Sequence, residues 1–351
     1  MQHQLESTIE QRGVEAAPRV SVVCPFYNEA LILEEAIESL LNALKGLPTT
    51  WELIVVNDGS TDGSKEIALS FCDKHPSLRV LSYPSNRGRG YAIRTGARAS
   101  QGAIIVTTEI DLSWGEDIVS RLVAAMDASP EVDIMVASPH IPGGGYRNVP
   151  PKRVFFSKFG NWVIRACVGN TVSMNTGMTR AYRAHVLSAL PLYEDEKEFH
   201  LEVILKAKAL GFRFGEIPSL LEWKSYKTET PGRKRKSSSR VKKLVLSHSL
   251  FSLFANPVRY AMGLAFLTMI TGGGFLLGGV YRFLVGDVAA FALIIGLTLA
   301  VIALLLAAFG VIAQQGNMVQ SELWRLQSEF KLQSDGWTRS DRMALEVKEN
   351  V

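Results

Sequence analysis

Two uncharged apolar segments near the carboxyl end restrict the folds open to this chain more than any other feature. Residues 262–280 and 288–311 contain no Asp, Glu, Lys or Arg. About 20 apolar residues in a helix span the core of a bilayer, and a helix satisfies its backbone polar groups internally. We therefore predict two transmembrane helices within residues 258–313. Two buried helices of a soluble core are the alternative.

A basic cluster precedes the first of these segments. Residues 233–243 contain seven Lys or Arg and no acid, so the rest of the chain carries a net charge of +4 − 7 = −3. Cytoplasmic flanks of transmembrane helices are rich in Lys and Arg. We therefore predict an integral membrane protein with two spans, whose amino-terminal domain and both termini are cytosolic. The cluster also favours membrane lipids over nucleic acid as its partner, because a span lies next to it.

The first residues and the cysteines add two expectations. Residues 1–18 are polar, contain no apolar core of a signal peptide, and predict a flexible arm. The three cysteines are far apart and match no zinc or disulfide pattern. This usage is typical of a reducing compartment.

From residue 19 onward, strand-like and helix-like patterns alternate. Apolar runs predict strands over residues 20–24, 51–56, 78–82, 103–107 and 132–137. Amphipathic stretches predict helices from about residue 29 and over residues 62–74, 90–100 and 115–129. The alternation predicts an α/β fold with a mainly parallel sheet. Ligands bind beyond the carboxyl ends of such strands, so four loops should meet at one site: residues 25–29, 57–61, 86–90 and 109–114.

The pattern changes after residue 138. Gly143, Gly144 and Gly145 predict a flexible joint, and residues 152–168 predict an amphipathic helix with bulky aromatic and scattered basic side chains. Such a composition favours a helix on the membrane surface, with a core helix as the alternative. Further predictions are a helix over 199–210, an extended segment over 212–221, an interfacial segment over 244–254, and a polar tail over 314–351 that is helical at 323–330.

Two acids follow the fourth predicted strand. Glu109 and Asp111 stand at positions i and i+2, which in an extended loop point the same way. That geometry suits a divalent cation, which takes one or two carboxylates together with the oxygens of a substrate diphosphate. Two solvated acids in a loop are the alternative.

Other loops favour a nucleotide. Residues 57–63 are dense in turn-forming and cap-forming residues, which leaves Asp58 free at the strand end to accept a hydrogen bond from a base that stacks on Tyr27. Residues 86–90 open the third helix, where backbone N–H groups and the helix dipole favour phosphate. The glycine spacing in this loop does not match G-x-G-x-x-G, which argues against a dehydrogenase.

Four stretches together resemble the family 2 glycosyltransferases of the GT-A fold: residues 22–29 (VVCPFYNE), 54–63 (IVVNDGSTDG), 86–90 (NRGRG) and 109–111 (EID). In layout the chain is similar to the polyprenyl-phosphate hexose synthases of that family. The resemblance covers about residues 19–255 and, in organisation, the two spans. It implies a GT-A-like domain with a nucleotide-sugar and metal half at residues 19–140. It also implies an acceptor half at residues 141–257, with interfacial helices.

The resemblance also implies a reaction and its residues. It implies inverting transfer of a hexose from a UDP- or GDP-linked sugar to dolichyl or undecaprenyl phosphate, with Mg²⁺ or Mn²⁺ as cofactor. For the donor it implies Pro25, Tyr27, Glu29, Val56, Asp58, Arg87 and Ile110. For the metal it implies Glu109, Asp111 and Ser113, and for the acceptor phosphate Arg153, Ser157 and His140. The catalytic residues that it implies are Asp111, Glu109 and Arg153.

This chain departs from the family pattern at several positions. Glu109 is one methylene longer than the usual first Asp of the metal motif, and Ser113 stands where the family often has Gln. Residues 138–140 read Ser-Pro-His, so an arginine expected at Pro139 for the acceptor phosphate is missing. The candidates to replace it are His140, Arg147 and Lys152. The late Arg-x-x-Gly-x-Ser-Lys segment is not evident within residues 224–239.

Two other functions stay open. One is a transferase of the same fold with another lipid or a polysaccharide as acceptor, although the Q-x-x-R-W segment and extra spans of processive enzymes are missing from the sequence. The other is an inactive membrane scaffold, which the changes at Glu109 and Pro139 would allow. The sequence does not identify the sugar, the nucleotide base (UDP or GDP) or the length and saturation of the lipid chain. It also does not show whether the protein forms a homo-oligomer.

Overall fold

The computed structural model describes residues 17–168, 171–223, 257–286, 288 and 290–334. These residues fall into two compact units, an α/β unit that holds the strands and a helical unit that extends to Leu323. The predicted arm up to residue 16, the basic cluster at 233–243 and the interfacial segment at 244–254 lie outside the described residues.

Within the described residues, nine strands form two sheets. They are β1 (Val20–Phe26), β2 (Trp51–Asn57), β3 (Leu78–Ser82), β4 (Ile104–Thr107), β5 (Ile134–Ser138), β6 (Gly145–Arg147), β7 (Arg180–Arg183), β8 (Phe214–Pro218) and β9 (Leu220–Glu222). The main sheet has the order β3-β2-β1-β4-β7-β5-β8, and β6 pairs with β9 in a small second sheet. All five strands predicted up to residue 137 are confirmed; β3 has the predicted ends, and the ends of the other four differ by one or two residues.

The main sheet is mostly parallel, as predicted. Only β7 runs the other way, between β4 and β5. Because β4 and β5 both oppose β7, the carboxyl ends of β1 to β5 lie at one edge of the sheet. This arrangement places the loops that follow these strands on the side where ligands bind to such sheets.

β1 extends two residues beyond the end predicted at residue 24 and includes Pro25. The strand continues to Phe26 and pairs with β2 along its whole length, whereas its pairing with β4 stops at Val23. Beyond Val23 one side of β1 therefore has no neighbouring strand. A proline without an N–H group is tolerated where a strand is paired on one side only.

Nine helices are described. They are α1 (Ala30–Lys45), α2 (Ser64–Ser70), α3 (Arg89–Ala99), α4 (Ile118–Ala128), α5 (Pro151–Val168), α6 (Ala184–Ala189), α7 (Phe199–Ala209), α8 (Pro257–Leu284) and α9 (Ala290–Ser334). The predicted apolar face of α1 is buried. The core lies between such faces and the sheet, whose strands β1 and β2 are almost completely buried.

The last two helices are long and apolar enough to cross a membrane. The candidate spans are Tyr260–Leu284 and Ala290–Phe330, and only 17% and 11% of their most apolar windows are buried. A helix of a soluble core would be covered by other side chains, so this exposure favours membrane spans. The protein is accordingly a membrane protein with two candidate spanning helices. The second continues to Ser334, so the tail is helical over more than the predicted residues 323–330.

Four glycines allow α8 and α9 to approach closely: Gly272 and Gly279 of α8, and Gly296 and Gly310 of α9. A methyl group at Gly279 would lie 2.8 Å from the Leu293 side chain, and one at Gly272 would lie 3.1 Å from the Gly296 carbonyl oxygen. Small residues allow such a close approach between helices in lipid. Gly273, Gly274 and Gly278 do not take part, because a methyl group there would meet nothing within 4 Å.

Gly96 fixes the distance between α3 and the sheet. A methyl group at this position would lie 2.4 Å from Cγ1 of Val23 and 3.1 Å from Cγ2 of Val56. We expect Gly96→Ala to lower the free energy of unfolding by about 1–3 kcal/mol, because stiff β-branched side chains cannot move aside. Thermal unfolding of the full chain in detergent, followed by circular dichroism, measures the change.

Gly46→Ala is the matched control, because its methyl group would meet only the Ala43 carbonyl oxygen at 3.4 Å. Equal melting temperatures for the two variants would contradict this account of α3 packing.

Candidate active site

The loops that follow β1 and β2 are joined by hydrogen bonds. Thr61 donates its N–H to Oδ1 of Asn28 at 2.8 Å, and Asn28 donates its own N–H to the Ser60 hydroxyl at 2.9 Å. Glu29 donates its N–H to the Ser64 hydroxyl at 2.9 Å. The structure thus brings together the first two of the four predicted loops.

Asp58 organises the third loop. Its carboxylate is 5% exposed and accepts hydrogen bonds from the Tyr83 hydroxyl at 2.7 Å and the Asn86 amide at 2.9 Å. It also accepts the N–H groups of Arg87 at 2.8 Å and Gly88 at 3.1 Å. The prediction that Asp58 is left free for a ligand is therefore wrong, because a buried carboxylate requires donors and this loop supplies them. Its contact with the donor stays a prediction.

The side chain of Tyr83 is part of this arrangement. Burial and the hydrogen bond to Asp58 raise the pKa of the Tyr83 hydroxyl, so the hydroxyl stays protonated and keeps donating. Sequence reasoning missed this residue because a tyrosine one residue after β3 has no motif of its own.

The amino end of α3 is occupied by the protein itself. Two N–H groups that precede α3 donate to Asp58, and the Tyr91 N–H donates to the Asp195 carbonyl at 3.1 Å. The Asp195 carboxylate pairs with Arg94 and lies 3.7 Å from the Arg87 guanidinium. The N–H groups of Arg87 and Gly88 therefore do not serve a phosphate in this structure, whereas phosphate binding by those of Arg89 and Gly90 stays a prediction. Binding of the donor by the exposed Arg87 side chain stays a prediction.

Glu109 and Asp111 lie in a tight turn and not in an extended loop, so that expectation is wrong. The Leu112 N–H donates to the Glu109 carbonyl at 3.4 Å, and Leu112 has a φ of 52°. The Asp111 carboxylate accepts the N–H of Ser113 at 3.0 Å and also its hydroxyl. The Glu109 carboxylate lies 3.5 Å from the Arg89 guanidinium, so the end of β4 contacts the start of α3.

The chemistry of this turn suits a hard divalent cation. Two carboxylates and a hydroxyl are the oxygen ligands that Mg²⁺ and Mn²⁺ prefer, with water or a diphosphate completing the shell. No group of three or more His, Cys, Asp and Glu that could hold a metal occurs among the described residues. Ser113 is 1% exposed and donates to Asp111, so it orients that carboxylate in this structure. The site fits a metal that binds together with its substrate.

Two residues predicted for the donor have buried side chains. Val56 is 0% exposed within β2, and Ile110 is 4% exposed within the turn. Neither residue is open to a nucleotide in this structure, so the contact of both residues with the donor stays a prediction. Tyr27 is 40% exposed and Pro25 is half-buried, which leaves both accessible to a base.

On the acceptor side, Tyr146 links the two predicted residues His140 and Ser157. The Tyr146 hydroxyl lies 3.2 Å from Nε2 of His140 and 3.1 Å from Oγ of Ser157. Asn161 donates to the Ser157 carbonyl at 2.9 Å and lies 3.4 Å from the same His140 nitrogen. Neither Tyr146 nor Asn161 was predicted, because their positions in the loop and helix carry no recognised motif.

His140 does not replace the charge of the missing arginine. Burial, followed by the charges of Lys158 and Arg165, holds the pKa of His140 below its ordinary value, so its ring is neutral at pH 7. A second candidate, Arg147, lies 4.0 Å from the Glu222 carboxylate. Lys152 is exposed at the start of α5.

A groove of about 590 Å³ lies between the loop after β5 and helix α5. Its lining includes a single lysine and several apolar and aromatic side chains: Pro139, Tyr146, Val149, Val154, Phe155 and Lys158. Four aromatic side chains of α5 are exposed by 42% to 65%: Phe155, Phe156, Phe159 and Trp162. This exposure excludes the alternative that α5 is a core helix.

We expect Asp58→Ala to loosen the segment from Tyr83 to Gly88. Two backbone N–H groups would lose their acceptor, and unpaired buried donors cost about 1–3 kcal/mol each. Tryptic cleavage after Arg87 or Arg89 should become faster and the melting temperature should fall. The control is Asp117→Ala, which removes a carboxylate that is 65% exposed. Wild-type cleavage rates in Asp58→Ala would contradict the anchoring role.

Part of this chain is similar to known proteins. Residues 21–190 match the family described as Glycosyl transferase family 2. A dolichyl-phosphate β-glucosyltransferase of Trichomonas vaginalis is 32% identical over 142 residues, which cover 38% of this chain and 42% of the relative. A dolichol-phosphate mannosyltransferase of Pyrococcus furiosus is 28% identical over 192 residues, which cover 54% and 53%.

A third relative is an undecaprenyl-phosphate 4-deoxy-4-formamido-L-arabinose transferase of Photorhabdus laumondii. It is 31% identical over 182 residues, which cover 50% of this chain and 52% of the relative. The chain thus spans about half the length of the curated relatives it matches.

A solved structure shares the fold. Glucosyl-3-phosphoglycerate synthase from Mycobacterium tuberculosis, in complex with Mn²⁺ and UDP-glucose, superposes with a TM-score of 0.50. The identity is 20%, and the match covers 67% of this chain and 79% of that one. At this identity the likeness speaks for the fold alone. Residues 21–190, in a GT-A-like α/β fold, form a segment of this chain that matches the family 2 glycosyltransferases.

Proposed function

We propose that this protein transfers a hexose from a UDP- or GDP-linked sugar to a polyprenyl phosphate, with inversion at the anomeric carbon and with a divalent metal ion. The observation that carries the proposal is the Glu109–Ser113 turn at the carboxyl edge of the sheet, in a chain that also has membrane spans. Its relatives are named as dolichyl- and undecaprenyl-phosphate sugar transferases, which supports a polyprenyl phosphate as the acceptor.

The acceptor needs little activation in this reaction. A phosphate oxygen of the lipid forms the new bond to the anomeric carbon while the bond from that carbon to the nucleoside diphosphate breaks. Since the phosphate is already an anion, no strong general base is required. The protein would then act by positioning the two substrates and by stabilising the charge on the leaving group.

The carboxylates of the turn would hold Mg²⁺ or Mn²⁺. A bound ion would supply positive charge to the leaving diphosphate. Asp111, oriented by Ser113, and Glu109, which lies beside Arg89, are the ligands that this chain offers.

Arg153 would hold the acceptor phosphate. A guanidinium can bind a phosphate through two parallel N–H groups, which fixes direction as well as distance. Ser157 lies one turn further along α5 and would donate its hydroxyl. The exposed aromatic side chains of α5 would lie in the membrane interface, at the cytosolic face, and keep this helix at the depth of the lipid phosphate.

The reaction is tested with membranes that contain the full chain, a panel of labelled UDP- and GDP-hexoses, and polyprenyl phosphate. We expect label in the lipid fraction for one donor. Absence of lipid-bound label with every donor would contradict the proposed function.

We expect Asp111→Asn to lower the rate of transfer at least about 100-fold, because a charge-stabilising group is lost from the transition state. Chelation of divalent ions should have the same effect on the wild type. Asp117→Asn, which changes an exposed acid near the start of α4, serves as the control. Wild-type turnover by Asp111→Asn would refute the metal assignment.

We expect Arg153→Ala to raise the KM for the lipid phosphate about 10- to 100-fold, as expected for the loss of a hydrogen bond to a charged group. The KM for the nucleotide sugar should change little. Arg98→Ala, which removes an exposed arginine of α3, is the control. Equal effects of Arg153→Ala on both KM values would argue against an acceptor role.

A further inference from the structure

The guanidinium of Arg153 lies over an aromatic ring. Its Cζ atom lies 4.4 Å from the centre of the Trp223 ring, within the range in which a cation is attracted to an aromatic face. Among the described residues, none forms an ion pair or a side-chain hydrogen bond with this guanidinium. Its N–H donors, which lie in the guanidinium plane, therefore stay open to an external acceptor.

Other arginines near the site are engaged differently. Arg89 lies 3.5 Å from the Glu109 carboxylate, and Arg147 lies 4.0 Å from the Glu222 carboxylate. An ion pair with a carboxylate uses the in-plane donors, so it competes with an incoming anion. Stacking on a ring uses the face of the guanidinium and leaves the donors available.

The backbone beside Trp223 contacts both halves of the site. The preceding residue, Glu222, donates its N–H to the Ser113 carbonyl at 2.7 Å, and Trp223 donates its N–H to the Arg147 carbonyl at 3.0 Å. Ser113 is the residue whose hydroxyl holds the Asp111 carboxylate. Two consecutive residues at the end of β9 are thus fixed to the metal-binding turn and to the strand that precedes α5.

We infer that Trp223 is a positioning residue for the acceptor phosphate. Its ring fixes the plane of the Arg153 guanidinium, and its strand fixes that plane relative to the turn that carries Asp111. The long arginine side chain is ordered before the ligand arrives, so less conformational freedom is lost on binding. This inference rests on the proposed function for the identity of the anion, a lipid monophosphate.

The test measures binding of farnesyl phosphate to the full chain in detergent by calorimetry. We expect Trp223→Leu to weaken binding about 3- to 30-fold, the range that corresponds to a cation–aromatic contact. Trp223→Phe should recover most of the affinity because it restores an aromatic face. The double variant Trp223→Leu/Arg153→Ala should bind no more weakly than Arg153→Ala alone, since Trp223 acts through Arg153.

Trp51→Leu is the matched control, because this indole lies at the amino end of β2, away from the carboxyl edge of the sheet. Wild-type affinity in a folded Trp223→Leu protein would overturn the inference. The inference would also be overturned if the losses of binding free energy caused by Trp223→Leu and by Arg153→Ala were fully additive in the double variant. If Trp223→Leu does not fold, Trp223→Phe is compared with Trp223→Met, and equal affinities of these two would overturn it.

The outcome is separable from that of the proposed function. Binding of farnesyl phosphate that depends on Trp223, without transfer from any donor, would support the inference and contradict the reaction. Transfer by the wild type, together with unchanged farnesyl phosphate binding in Trp223→Leu, would support the proposed reaction and contradict the inference. Absence of farnesyl phosphate binding by the wild type would overturn the inference directly.

Discussion

The buried carboxylate of Asp58 must be given hydrogen-bond donors, and much of the site follows from how the chain supplies them. The segment from Tyr83 to Gly88 folds over the end of β2 to do so. That path sets where α3 begins and brings Arg89 beside Glu109. One desolvated charge therefore couples the loop after β3 to the turn proposed to bind the metal.

Backbone strain is concentrated in the same region. The only non-glycine residues with positive φ in the described part of the chain are Asn28, Leu112 and Asn148. They follow β1, β4 and β6, in the loops assigned to donor, metal and acceptor. A leucine in this conformation costs about 1–2 kcal/mol, so the surrounding hydrogen bonds must hold it there. Strain of this kind is common where a loop has to present side chains in one fixed geometry.

The sequence was sufficient for the architecture and for the edge of the sheet at which the site lies. Alternating periodicity reports which face of an element is buried, and topology then decides where loops meet. The sequence could not show that Glu109 and Asp111 lie in a turn, because that turn depends on a positive φ at Leu112. It could not show that Asp58 is already satisfied, because its donors lie 25 to 30 residues away. The contact of Arg153 with the Trp223 ring joins residues on separate elements and leaves no periodic signal.

The length of α9 has a consequence for the part of the chain that follows the membrane. Its 45 residues extend about 68 Å, whereas the hydrocarbon core is about 30 Å thick. A polar helix standing alone in water must first form a costly nucleus. In α9 the apolar turns provide that nucleus, so the polar turns need only extend an existing helix. Ion pairs between residues four positions apart, such as Arg325 and Glu329 at 3.5 Å, stabilise these polar turns. A segment that is too polar to form a helix by itself can thus be helical, because it continues a helix that is formed by the apolar segment before it.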